Sequence, residues 1–187
     1  MKPIIVHISG LPGCGKEELA KRLDKTYHGL KYIDADSLLT GKDMIKINNA
    51  TEDGFDKQLK LWKKIFLKRI RQCVKKCKTK EKKIFLLVGS LDYGSPGGEK
   101  LNISADHKLY LRKPIKHQIK EFYHTEIVEG LLGDEDYLQG VVNSDWSVPS
   151  TQEYISAYNR EIDWHSKFDY KLVNDKEVEQ IIKNLFK

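Results

Sequence analysis

The stretch Gly10-Leu11-Pro12-Gly13-Cys14-Gly15-Lys16 constrains this chain more than any other. Glycines at three of seven positions free the backbone to adopt conformations and close approaches that a side chain would block. An apolar run, Pro3 to Ser9, precedes it and reads as a strand buried on both faces. After it, Leu19, Ala20, Leu23 and Tyr27 recur at helical spacing until His28-Gly29 closes the helix. A strand, a glycine loop and a helix in this order make a phosphate cradle. The loop's N–H groups turn inward, the helix amino end adds a favourable dipole, and Lys16 supplies a point charge. A plain tight turn would need neither the lysine nor the helix. The candidate phosphate-binding residues are therefore Gly10, Leu11, Pro12, Gly13, Cys14, Gly15 and Lys16, with Glu17 and Glu18 immediately after.

Other segments repeat the alternation. Lys31-Tyr32-Ile33 is a second strand, Ile84 to Val88 a third, Lys108 to Leu111 a fourth and Tyr170 to Val173 a fifth, with helices between and after them. Strictly alternating strands and helices predict an α/β fold with a parallel sheet and helices on both faces. At 187 residues, 40% hydrophobic and 32% charged, the chain fits a single domain spanning 1–187. Gly130 to Pro149 mixes glycine, acids and Trp146, and an irregular insertion is expected near 130–160. No run approaches the ~20 apolar residues of a membrane span, and the opening residues are too short a run for a signal peptide, so the expected location is cytoplasmic. Three cysteines give no disulfide framework, and Cys73 and Cys77 read as reduced helix cysteines in preference to half of a zinc site.

The formal charge is +6 and the pI is near 9.0. Much of the positive charge falls on an amphipathic helix over 55–78, where apolar residues at steps of three and four leave Lys57, Lys60, Lys63, Lys64, Lys68, Arg71, Lys75 and Lys76 on the other face. A solvated face is the favoured reading over a nucleic-acid surface, because no base-stacking aromatics stand among these lysines.

Asp34 and Asp36 leave the second strand two residues apart. In an open parallel sheet that places both carboxylates at the crevice beside the glycine loop, fit for metal or substrate work. Asp36 could instead cap a helix beginning at Ser37. Asp92 follows the third strand, and is either a metal ligand or a turn residue. Arg112 leads a basic group after the fourth strand. Asn174, with Asp175, follows the fifth at what is also an ordinary helix start.

With these motifs in place, the sequence resembles the small P-loop kinases, the group of adenylate kinase and shikimate kinase. The loop is similar to their Gly-x-Pro-Gly-x-Gly-Lys form, and the two aspartates resemble the Asp-x-Asp of shikimate kinase-like enzymes. The resemblance implies a three-layer P-loop NTPase fold with a five-stranded parallel sheet in the order 2-3-1-4-5, ATP and Mg2+ as cofactors, and a small-molecule phosphoryl acceptor. It implies catalytic roles for Lys16, Asp34, Asp36 and Arg112, metal contacts from Asp34 and Asp92, and a nucleotide contact from Asn174. A lid is implied near 112–129. One departure stands out: these kinases carry a metal-binding hydroxyl directly after the lysine or one residue later, where this chain has Glu17 and Glu18. Two further readings stay open: a nucleotide-binding module without catalysis, and a polynucleotide kinase using the basic helix.

Overall fold

The computed structural model describes residues 3–50, 54–77, 83–89, 92–93, 99–100, 103–121 and 151–187. Strand β1 (Ile4–Ser9) leads through the glycine loop into helix α1 (Lys16–Thr26), followed by β2 (Leu30–Asp34), α2 (Gly41–Asn49), α3 (Phe55–Cys77) and β3 (Ile84–Val88). Two short strands, β4 (Asp92–Tyr93) and β5 (Glu99–Lys100), pair with each other in antiparallel fashion. Next come β6 (His107–Leu111), helical residues 115–121 (α4), α5 (Thr151–Ser166), β7 (Lys171–Val173) and α6 (Asp175–Leu185).

The main sheet has five strands in the order β2-β3-β1-β6-β7, all paired in parallel. Counting only its own strands, this is the order 2-3-1-4-5 expected above. Period-two alternation divides its side chains between two cores. Val6, Ile8, Ile84, Leu86, Val88, Leu109 and Leu111 pack with Leu19, Ala20 and Leu23 of α1 and with Val178 and Ile182 of α6. On the other face, Ile33, Phe85 and Leu87 pack with Ile47 of α2 and with Trp62, Phe66, Ile70 and Val74 of α3. The four α3 residues recur every fourth position, which fixes the helix's rotation against the sheet. Every residue of β3 is buried, as a strand covered by helices on both faces must be.

Two sequence readings change. Residues 151–160, read as part of an irregular insertion, belong to helix α5, a 16-residue helix whose buried His165 meets Ser9 of β1 and Tyr110 of β6. Asp36 does not cap a helix: α2 starts at Gly41 with Thr40 as its cap, the Thr40 and Asp43 side chains exchanging bonds in a capping box. The rest of the expected insertion (130–149) and the end of the expected lid (122–129) lie outside the described residues. Among the described residues no helix is long and apolar enough to cross a membrane.

Candidate phosphate-binding site

In a parallel sheet every strand delivers its carboxyl end to the same edge. Here that edge collects Gly10 from β1, Asp34 from β2, Gly89 after β3, Arg112 and Lys113 after β6, and Asn174 after β7.

The loop conformation demands its glycines. Gly13 and Gly15 have φ of 75° and 77°, in the left-handed region that favours glycine. Gly10 is needed for space: a Cβ there would stand 2.7 Å from the Cys14 sulfur and 2.9 Å from the Leu111 carbonyl oxygen. Leu11 and Cys14 are buried and anchor the loop from beneath, while Pro12 is exposed. Burial pushes the Cys14 thiol up against the opposing pull of Lys16 and Lys113. Gly15 caps α1 without a side chain to fill the cap, so the amides of the first turn remain open to an anion.

Lys113 proves to be the second cation at this loop. A Cβ on Gly15 would lie 2.7 Å from its ammonium nitrogen, which also sits 3.8 Å from an Asp175 carboxylate oxygen. Its backbone is held on both sides, since the Arg112 N–H donates to the Val173 carbonyl at 2.8 Å and the Gln118 amide donates to the Lys113 carbonyl at 2.8 Å. Arg112, the cation favoured by the sequence, is exposed and lines a cavity of about 570 Å³ together with Lys113, Ile115, Tyr158, Leu172 and Asn174. Asn174 uses its side chain to cap α6, accepting from the Glu177 N–H, and meets the cavity at its edge. A smaller cavity of about 440 Å³ lies at the opposite, amino ends of β6 and β7, away from the loop.

Asp34 and Asp36 lie together at the carboxyl end of β2, near Gly89. The Asp36 N–H donates to an Asp34 carboxylate oxygen at 2.9 Å, and a Cβ on Gly89 would stand 3.3 Å from an Asp36 oxygen. Glu17 and Glu18 share the neighbourhood. Burial together with the charges of Asp34, Glu17, Asp36 and Glu18 pushes the Tyr32 hydroxyl up to about 12. The crevice is thus negative on the β2 side and positive on the β6 side. Among the described residues no three His, Cys, Asp or Glu side chains converge on one point. A magnesium ion fits only in the manner usual for it, with one carboxylate and the remaining positions filled by water and phosphate oxygens. Asp34 suits that carboxylate role, with one oxygen already accepting from Asp36. Asp92 lies in the separate β4–β5 pair.

Beneath the loop lies a polar layer that the sequence reading missed. His165 Nδ1 donates to the Glu161 carbonyl at 2.6 Å, leaving Nε2 to accept from the Ser9 hydroxyl at 2.8 Å. His7 Nε2 donates to the Gly89 carbonyl at 2.9 Å, and Nδ1 accepts from the Tyr170 hydroxyl at 2.5 Å. Serine, histidine and glutamate in this order imitate a nucleophilic triad. Ser9 and His165 are fully buried and Glu161 is 5% exposed, so no substrate reaches them. The layer instead ties α5, β7 and β3 to the end of β1 from which the loop hangs. Its signal was present in the alternation of His7 and Ser9 within an otherwise apolar strand.

A glycine loop between a strand and a helix, at the carboxyl edge of a 2-3-1-4-5 sheet, defines the P-loop kinase-like fold. The comparisons with known proteins agree. The chain is similar along 99% of its length to 99% of TT1252 from Thermus thermophilus, with a TM-score of 0.54 and 15% identity. It is similar along 98% of its length to 98% of shikimate kinase from Bacteroides thetaiotaomicron, with a TM-score of 0.50 and 13% identity. At such identities the likeness is one of fold. The sequence matches no family model and no curated protein.

Proposed function

We propose that the protein is an ATP-dependent small-molecule kinase that transfers the γ-phosphoryl group to a nucleoside monophosphate or a hydroxylated metabolite. The observation that carries this reading is the loop, with Gly13 and Gly15 in the left-handed region, Lys16 opening α1 and the Lys113 ammonium beside Gly15. Lys16 and the loop amides hold the β and γ phosphates, and Asn174 and Arg112 border the place for the base. Asp34 anchors a hydrated magnesium, with Asp92 a second candidate, and that ion supplies neutralising charge to the phosphates when bound. Asp36 orients the acceptor hydroxyl, and the basic residues from Arg112 onward belong to a lid within the single 1–187 domain. Positioning and electrostatics supply most of the rate in such a transfer.

A second reading, a nucleotide-binding module without catalysis, draws support from two observations. Glu17 and Glu18 stand where a metal-binding hydroxyl is expected, and one Asp34 oxygen is already engaged.

Calorimetric titration of ATP with and without magnesium, on the wild type and Lys16→Ala, tests both. Binding that magnesium strengthens and Lys16→Ala abolishes is expected for the kinase, followed by turnover in a screen of acceptors. Binding indifferent to magnesium, with no turnover, would support the module. No ATP binding by the wild type would end both readings.

A further inference from the structure

The positive charge of this molecule resides on one helix. Helix α3 carries nine lysines and arginines against the single acid Asp56, a net +8, whereas the whole chain is +6. All other residues together are therefore slightly negative. Because Trp62, Phe66, Ile70 and Val74 are buried against the sheet, the helix cannot rotate, and its opposite face must meet solvent. On that face Lys60, Lys64, Lys68, Arg71 and Lys75 are all exposed. Their spacing of three or four residues makes one continuous row about 22 Å long.

An ordinary solvated helix mixes signs, as α1 does with Glu17 and Lys21 one turn apart. The α3 row does the reverse. Lys60 with Lys64, Lys64 with Lys68, and Arg71 with Lys75 are like-charge pairs one turn apart, each of which destabilises a helix. Among the described residues no carboxylate lies within ion-pair distance of any of the five. Arg69, off the row, pairs with Asp43 of α2 at 2.7 Å.

We propose that this row is a docking surface for double-stranded DNA, bound through its phosphates without base readout. A rigid row of cations matches the dense regular charge of a duplex, about one per 1.7 Å of axis. The five row positions carry no apolar side chain, and Trp62, Phe66, Ile70 and Val74 are committed to the core, so the row itself offers a lipid surface charge without an apolar face to insert. An unpaired strand would call for aromatic stacking platforms, which the row lacks. Duplex RNA is read largely through its 2′-hydroxyls, and the row presents ammonium and guanidinium groups with few neutral partners for them. The surface lies on α3, apart from the glycine loop, and the inference does not depend on the kinase reading.

Fluorescence anisotropy with a short labelled DNA duplex of arbitrary sequence tests it. If about four phosphates are engaged, affinity falls roughly a hundredfold between about 50 and 200 mM salt. The triple variant Lys64→Glu, Lys68→Glu, Arg71→Glu is expected to lose at least tenfold in affinity and to flatten that salt slope, with its circular dichroism spectrum unchanged. A control of equal net charge, Lys25→Glu, Lys46→Glu, Lys183→Glu, places its substitutions on α1, α2 and α6 and is expected to retain most of the binding. Equal loss in the control would overturn the proposal in favour of diffuse attraction. So would absence of duplex binding at low salt, tighter binding of single-stranded DNA or duplex RNA, or stronger row-dependent binding to phosphatidylserine vesicles than to the duplex.

Discussion

Lys113 shows how a residue's meaning depends on where its backbone is held. In the sequence it is one cation among several after the fourth strand, beside an arginine that chemistry would favour for phosphoryl groups. The bonds from Arg112 N–H to Val173 and from Gln118 to Lys113 fix the chain so that the lysine's ammonium reaches Gly15, while both residues border the neighbouring cavity. Lys113→Gln is therefore expected to weaken ATP and ADP by tenfold or more, in line with about 1.5–3 kcal/mol for a hydrogen bond to a charged group, and to leave adenosine binding unchanged. Competition titration of the three ligands checks this. Equal weakening of adenosine would show that the lysine shapes the cavity and not the phosphate site. Spacing alone could reveal Lys16, because its motif is local. Lys113 was hidden because its contact depends on the β6–β7 pairing.

At the scale of elements, the α2–α3 pair is held by a charged clamp. Arg69 donates through Nε and one terminal nitrogen to the two Asp43 oxygens, at 2.8 and 2.9 Å, and Thr40 adds its own bonds to Asp43. Burial works against ionisation of Asp43, but the Thr40 and Arg69 hydrogen bonds outweigh it and hold the carboxyl below its ordinary value of 3.8. A group more acidic in the folded state contributes stability that is complete above the unfolded value and is lost as pH falls through the folded one. Asp43→Asn should thus lower the melting temperature at neutral pH, with the gap to wild type closing as pH drops below about 3.8. A constant gap across a thermal-melt series would dissociate the clamp from this titration. The sheet strands and the helices α1, α3 and α6 were legible because apolar periodicity writes them directly. Helix α5 was not legible as far as its first residues: 151–160 carry a mixed face, and the contacts that seat the helix, His165 with Ser9 and Tyr110, are made near its other end to residues far away in sequence. The sequence reading placed a possible cap at Asp36, whereas the capping box that Thr40 forms with Asp43 sets the start of α2 at Gly41.

The whole molecule rests on two cores separated by one sheet, and its strands β1 and β3 serve both. Phe85 is fully buried among Ile33, Trp62 and Phe66 on the α3 side, whereas Leu86, its neighbour, faces α1. Phe85→Ala is expected to cost about 3–5 kcal/mol, measured by urea unfolding, because the packed sheet can collapse only partly into the space left. A loss below about 1 kcal/mol would mean that the α3 layer closes readily onto the sheet. The position of β1 has a temporal consequence as well. Ile4 pairs with Ile84 and Val6 with His107, so the central strand must wait for partners encoded much later in the chain. Until β3 and β6 have been synthesised, Ile4 to Ser9 is an apolar segment with both edges open, and pairing at such separations is slow. The glycine loop hangs from that strand, so nucleotide affinity should emerge late in refolding, and a nascent chain ending before β6 would be a client for chaperones before it could be a binder of phosphate.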